Sequence, residues 1–329
     1  AYYERAALEQ KYSPVHTING NEINPVQAGL PDTPFLADYL AMSQIPEDTQ
    51  LAHFYSGTFS GTVRLLKARG VPVSYTCPAH DRRVTIEEFK SLYGSYPYPH
   101  IENNLLWSHF SQGYRDADVV IAPSILSAEF LINEGCREVK VIPHGCNPPE
   151  KLFLPPPMFT VGYLGQIGPD KGLRYLMKAW GTLNLRDAKL IMAGDNTDTL
   201  GPIIQRESAA GRYELLGRVK NSAELYSQCS VFVLPSVCEA FGICALEAMS
   251  HGIPVIVSAG AGVSMIIEEG VTGFIVPARD IGAIVERLQW CYRNRGKLLE
   301  MGIKAHEKSK EYTWESIATM YQSVWSQLL

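Results

Sequence analysis

Two glutamates eight positions apart, Glu239 and Glu247, flank the turn Ala240-Phe241-Gly242 in the stretch Ser236-Val-Cys-Glu239-Ala-Phe-Gly-Ile-Cys-Ala-Leu-Glu247-Ala-Met-Ser-His-Gly252-Ile-Pro254. The apolar run Val231–Pro235 before them reads as a strand, and the pattern after Gly242 reads as a short helix that Gly252-Ile-Pro254 stops. Glu239 then falls in the connecting loop, beside the backbone N–H groups of Phe241, Gly242 and Ile243 at a helix start. Such an end carries roughly half a positive charge and unpaired donors, which suits a diphosphate. Glu247, one to two turns further on, is placed to accept hydrogen bonds from a diol such as that of ribose. A carboxylate for a sugar, a helix end for phosphates and a carboxylate for a ribose together describe a nucleotide-sugar site. The plain alternative is a strand-loop-helix of an α/β domain with two solvated glutamates.

A second loop of chemical interest is Val161-Gly-Tyr-Leu-Gly165-Gln166-Ile-Gly-Pro-Asp-Lys171-Gly172, a strand, a glycine-containing loop and a helix start that ends on a cation. In the first half, Ser74-Tyr-Thr-Cys-Pro-Ala-His80-Asp81 follows a strand.

Taken with Val255-Ile-Val-Ser258 and Glu268-Glu269-Gly270-Val-Thr-Gly273-Phe-Ile-Val-Pro277, these segments resemble the retaining GT-B glycosyltransferases of family 4, the glycosyl transferases group 1. Their signature is two glutamates separated by seven residues, then Ala-Met-x-x-Gly-x-Pro-Val. The specific motifs lie almost entirely between residues 160 and 277. The resemblance implies an α/β protein of GT-B type, two Rossmann-like domains facing across a cleft. The donor is a nucleoside-diphosphate sugar, and the acceptor hydroxyl belongs to a glycan, a lipid-linked or a small molecule.

It also implies roles. Glu239 positions the sugar hydroxyls, Glu247 holds the ribose, and Lys171 with the amides of Phe241, Gly242 and Ile243 holds the diphosphate. Gly165 and Gln166 belong to the same phosphate loop. Gln166 stands where the family usually has Arg, so one cation is absent and Arg174 is a candidate replacement. The turn Gly217-Arg218-Val219 resembles the loop that holds the nucleobase by backbone groups. Ala193-Gly194-Asp195 resembles the turn near the nucleotide, although a plain turn fits Asp195 as well. His80 resembles the family histidine that stabilises positive charge at the sugar ring; an ordinary loop histidine fits the sequence equally. Ile142-Pro-His144-Gly145 resembles the turn that ends the first domain and is expected to be structural. Asp116-Ala-Asp118 has the spacing of a metal motif from another glycosyltransferase fold, but precedes a strand where this family has a structural segment. No metal and no other cofactor is expected. Two other functions stay open: a nucleotide-sugar epimerase of the same fold, and a non-catalytic nucleotide-sugar-binding subunit.

These loops need sheets to hold them. Strand-like and helical runs alternate along all 329 residues, as in parallel sheets built from βαβ units. Expected strands in the first half are Val15–Ile18, Leu51–Tyr55, Val71–Thr76, Val119–Ala122 and Val139–Ile142, with helices at Phe59–Arg69, Asn103–Ala117 and Ala128–Glu134. The proline-rich stretch Pro148–Pro157 reads as a linker, since proline lacks a donor and fixes φ. This divides the chain into an acceptor-side domain, 1–155, and a donor domain, 156–311, with a terminal helix 312–329 that crosses back to the first domain in the family. The family begins with a strand and a glycine-rich turn, whereas this chain opens on Ala1-Tyr-Tyr-Glu-Arg, which reads as the helix after them. The first strand of the N-terminal sheet is therefore expected to be absent, with Val15–Ile18 as the second.

Composition narrows the classes. The net charge is −5, held as 12 Lys/Arg against 17 Asp/Glu in residues 1–155 and 17 of each in 156–329. There is no basic stripe for nucleic acid and no Lys/Arg cluster indicating a membrane surface. No apolar run approaches the roughly 18 residues of a membrane span. Seven cysteines without metal-ligand spacing fit reduced thiols and a cytoplasmic protein.

Overall fold

The computed structural model describes residues 44–55, 59–95, 111–194 and 213–329, the backbone of residues 16–18 and 21–23, and helical positions 38, 41 and 42. In the first half the elements are β1 (His16–Ile18), β2 (Asn21–Ile23), β3 (Ala52–Tyr55), α1 (Ser60–Ala68), β4 (Val73–Thr76), α2 (Arg82–Tyr93), β5 (Val119–Ala122), α3 (Ile125–Asn133) and β6 (Val139–Val141). Strands β3-β4-β5-β6 form a parallel sheet in that order, and β4 and β5 are buried throughout. Strand β1 corrects one expectation. It pairs antiparallel with β2, His16 opposite Ile23 and Ile18 opposite Asn21, instead of joining the parallel sheet. The sequence between them is Asn19-Gly20, the pair that two-residue hairpin connections favour.

The second half continues with β7 (Phe159–Leu164), a 3-10 turn Pro169–Lys171, α4 (Leu173–Thr182), β8 (Ala188–Ala193), β9 (Tyr213–Gly217), α5 (Ser222–Tyr226), β10 (Val231–Leu234), α6 (Ile243–Ser250), β11 (Val255–Ser258) and β12 (Gly273–Val276). Helices α7 (Ile281–Arg293), α8 (Arg295–Ser309) and α9 (Trp314–Leu328) complete it. The parallel sheet runs β12-β11-β10-β7-β8-β9. Alternate residues of each strand enter opposite cores: Val231 and Val233 join one cluster, Phe232 and Leu234 the other. A parallel sheet buried on both faces requires apolar residues at every position, which is why these strands read as unbroken hydrophobic runs. The strand order reverses between β7 and β10, so the loops after these two strands diverge and leave a crevice beyond their carboxyl ends.

The elements expected in the first half did not include α2. The signals for α2 lie at its ends. The Asp81 carboxylate accepts from Arg83 N at 2.9 Å, and Gly94 closes the helix at φ 77° with its N–H on the Lys90 carbonyl. Expected helix Asn103–Ala117 is helical over 111–116; residues 103–110 lie outside the described part.

Among the described residues the halves meet at the chain crossover, along α9 and along α2, and also through the loops of the crevice described below. At the crossover, Cys146 N–H donates to Tyr312 O at 2.9 Å and Trp314 N–H to Cys146 O at 3.3 Å, joining the outgoing and returning strands of chain. Helix α9 then packs on the first sheet: Ile317 joins Ile121 and Ile142, Tyr321 OH meets Thr76 Oγ1 at 2.9 Å, and Trp325 Nε1 donates to Ser74 Oγ at 3.0 Å. Helix α2 packs Val84 and Leu92 against the core of the second half. All seven cysteines are free thiols, and no helix among the described residues is long and apolar enough to cross a membrane.

Candidate functional site

The loop after β7 is shaped by backbone contacts. Gly194 has φ 156°, and a Cβ there would stand 1.8 Å from the Gly165 carbonyl oxygen, so the turns after β7 and β8 touch backbone to backbone. Gly172 has φ 68°, and its Cβ would stand 2.0 Å from the Pro235 oxygen. Only glycine permits both that conformation and that approach. Lys171, one residue earlier, is thereby locked beside the loop that follows β10.

There it meets Glu239. Lys171 Nζ lies 2.8 Å from Glu239 Oε2 and 3.4 Å from Asp170 Oδ2, with Lys171 and Glu239 only 16% and 22% exposed. Burial pulls the ammonium down, but the Glu239 and Asp170 carboxylates outweigh it and hold Lys171 above its ordinary value. It stays a cation at any physiological pH. The backbone of Glu239 is fixed by its N–H on Gly260 O and by Gly262 N–H on its own carbonyl, both at 3.0 Å. Two residues on, Phe241 is buried, and Gly242 precedes α6, whose start no side chain caps. Ile243 is the first helical residue, as its pattern predicts.

Glu247 faces the same region with a partner that sequence reasoning missed. Tyr226 OH donates to Glu247 Oε2 at 2.9 Å and lies 2.9 Å from Cys244 O. The ring of Tyr226 packs on His251, whose Nδ1 meets Glu247 O at 2.8 Å. Nothing in the spacing of Tyr226 and Glu247, 21 residues apart, announces this pair.

The turns after β8 and β9 lie at the edge of the same crevice. Gly194 N–H donates to Gly217 O at 2.9 Å, which joins the ends of β8 and β9. Arg218 is exposed and Val219 packs on the second core; Asp195 lies outside the described residues. Gln166 is exposed, its carbonyl accepting from Tyr163 OH at 3.0 Å. Arg174, the candidate replacement for the missing arginine, has its guanidinium 2.8 Å from Glu88 of α2.

The first sheet presents its carboxyl end to this crevice. Ser124 accepts from Ser127 N, capping α3, and donates to Ala240 O at 2.6 Å. Ser127 Oγ bonds the Ala79 carbonyl, and Cys238 Sγ lies 3.7 Å from Asp81 O. His80 thus sits between two residues that touch the Glu239 loop or its neighbours, with Nε2 3.3 Å from Thr85 Oγ1. His144, expected to be structural, is also near: its ring meets Phe241 edge-on at 5.5 Å. Burial lowers its pKa and the Glu239 charge opposes this. Asp116 and Asp118 are engaged elsewhere. Asp118 pairs with Lys67 and accepts from Val73 N at 2.8 Å, while Asp116 accepts from Gln112 at 2.9 Å.

Residues 149–309 match the family profile of glycosyl transferases group 1. An uncharacterized glycosyltransferase of Methanocaldococcus jannaschii is 30% identical over 234 residues, 62% of this chain and 58% of that protein. Sulfoquinovosyl transferase of Arabidopsis thaliana is 27% identical over 235 residues, 65% of this chain and 45% of that protein. The chain thus spans about half the length of the curated relatives it matches. Among solved structures, HepE of Anabaena in complex with UDP and glucose superposes with TM-score 0.70 at 20% identity, covering 98% of this chain and 89% of that one. Sucrose-phosphate synthase of Thermosynechococcus elongatus gives 0.69 at 21%, over 85% and 73%. Residues 149–309 thus carry a glycosyl transferases group 1 domain, and the chain, with its two parallel sheets, has the GT-B fold.

Proposed function

We propose that this chain is a retaining glycosyltransferase that moves a sugar from a nucleoside diphosphate to an acceptor hydroxyl. The observation that carries this is the contact of Lys171 with Glu239 at the reversal of the strand order, beside the uncapped start of α6. A leaving diphosphate gains negative charge as the glycosidic bond breaks, and preorganised donors and a fixed cation lower that barrier. In this scheme Lys171 and the amides of Phe241, Gly242 and Ile243 take the diphosphate. Glu239 exchanges its ammonium partner for the sugar hydroxyls, and Glu247, oriented by Tyr226, takes the ribose. Gly165, Gln166, Gly194, Arg218 and Val219 line the donor side. His80 supports positive charge at the sugar ring. The departing phosphate oxygen accepts the acceptor proton, so the new bond forms on the same face.

Residues 156–311 form the donor domain in this proposal; residues 1–155 with helix 312–329 form the acceptor side, for a glycan, lipid-linked or small-molecule hydroxyl. Lys171 and the helix end supply the charge that other glycosyltransferases take from a metal, so transfer should persist in excess EDTA. The relatives named above, one a sulfoquinovosyl transferase and one crystallised with UDP and glucose, support a nucleotide-sugar donor.

The test is incubation with a panel of nucleotide sugars and acceptors, with the anomeric configuration of the product read by NMR. Transfer with inversion, or loss in EDTA that magnesium restores, sinks the corresponding part. Conversion of donor without any acceptor identifies an epimerase. Donor-dependent thermal stabilisation without turnover identifies a binding subunit, the outcome that Gln166 in place of Arg would favour.

A further inference from the structure

The stripe of α2 that faces the second half carries Val84, Glu88 and Leu92, four residues apart along one side of the helix. The two apolar members pack against the core of the second half. Between them Glu88 is 3% exposed, a carboxylate removed from water at a boundary between domains. Burying a charge is tolerated only where it is paired and hydrogen-bonded. Among the described residues the side-chain partners of Glu88 come from the other half: Arg174 at 2.8 Å on Oε2, Arg279 Nε at 2.7 Å on Oε1, and Tyr175 OH at 3.2 Å. Arg279 occupies a left-handed backbone, φ 68°, that disfavours a non-glycine residue.

Arg174 and Tyr175 are the second and third residues of α4, and Lys171 is just ahead of it. The intervening Gly172 cannot shift alone, because its backbone is wedged against Pro235. Tyr175 N–H donates to Gly172 O at 2.9 Å, and Lys171 N–H to Gly168 O at 3.1 Å. A force on Arg174 is therefore delivered to the turn that carries Lys171. Helix α2 also packs directly on Pro169–Lys171.

We propose that Glu88 is a positioning residue: from the first half it fixes the Lys171 turn of the second half, so that the diphosphate grip is complete only when the two halves are docked. The proposal rests on the donor role given above to Lys171. It assigns the acceptor-side domain a part in donor affinity that touches no donor atom. It also gives Arg174 and Arg279 a joint acceptor in Glu88.

The experiment compares Glu88→Gln with wild type by ligand-observed NMR titration. The ligands are UDP, GDP and ADP, and the matching nucleosides, which lack the diphosphate. Glu88→Gln keeps the shape but loses the charge that binds two guanidiniums. Its affinity for the bound diphosphate should fall about tenfold, while nucleoside affinity stays within about twofold. In a Lys171→Ala background the same substitution should lose most of its effect, because the two act through one turn. Equal weakening of diphosphate and nucleoside, full additivity with Lys171→Ala, or no weakening at all overturns the proposal. Wild type binding none of the diphosphates instead removes the donor assignment itself. Arg174→Met, which removes the charge that meets Glu88, carries the same expectations should Glu88→Gln not fold.

Discussion

On the second-half side of the crevice, proposed to hold the donor, the loops are held by backbone against backbone: Gly172 on Pro235, Gly194 on Gly165, and the Glu239 amide on Gly260. On the facing side, the 77–81 loop is held largely by side chains: Ser127 on Ala79, Asp81 capping α2, Cys238 reaching Asp81, and Thr85 beside His80. Backbone contacts of this closeness tolerate one residue type and one conformation. Side-chain contacts can be exchanged for others of similar length at modest cost. The difference matches the crowding of recognisable motifs between residues 160 and 277.

The contrast is broken most severely at Gly172. Gly172→Ala adds both a left-handed strain and a 2.0 Å clash, and should cost about 3 kcal/mol or more in chemical denaturation. Ser127→Ala, which removes the serine hydroxyl from Ala79 and Ala240, should cost only about 1 kcal/mol. Equal costs would erase the distinction between the two sides.

Next in size are the charged residues of the donor side. Lys171→Ala and Glu239→Ala should each lower transfer at least roughly tenfold, since a charged hydrogen bond is worth about 1.5–3 kcal/mol. Both should fold, because each side chain borders the crevice. Near-normal turnover in both would defeat the assignment of this pair.

A smaller effect tests the first sheet. His53 Nδ1 lies 2.7 Å from Ser74 Oγ and Nε2 3.2 Å from Thr76 Oγ1, beneath Tyr321 and Trp325 of α9. Burial pulls its pKa from 6.5 down to about 4. A histidine with a depressed folded pKa gives stability that is present above about 6.5 and drains as pH falls toward 4. From pH 7 to 5 the loss should be on the order of 1 kcal/mol after solvent screening. His53→Asn should flatten that slope in denaturation across the same range; an unchanged slope would place the titration elsewhere.

The smallest expected change is at Tyr226. Tyr226→Phe leaves Glu247 without its phenol donor and should weaken nucleotide binding about three- to tenfold by calorimetry. Binding tighter than wild type would mean that the phenol competes with the ribose for Glu247.

Much of this could be read from the chain itself. Unbroken apolar runs such as Val231–Leu234 and Val119–Ala122 marked the buried parallel strands, because a strand covered on both faces has no polar positions. Gly242 before Ile243 marked the start of α6, and Lys171 and Glu239 fell in the loops that follow β7 and β10. These signals are local: each depends on residues within one strand, one turn or one helix start.

What the chain could not show arises from elements distant in sequence that meet only after folding. Val15–Ile18 had the composition of a strand, but composition does not choose a partner, and β1 pairs with β2 instead of the sheet. Arg174 reads in the sequence as a loop-side cation, and only the fold pairs it with Glu88, 86 residues earlier, as the charge of a buried carboxylate demands. In the sequence Glu88 is one of two adjacent glutamates; only the packing of Val84 and Leu92 buries it while Glu87 stays exposed. Tyr226 reaches Glu247, and Trp325 reaches Ser74, through docking that no periodicity encodes. Local pattern determined the elements and their loops because backbone geometry is short-ranged. Partnership across the crevice was decided by tertiary packing, which alone brings together residues far apart in the chain.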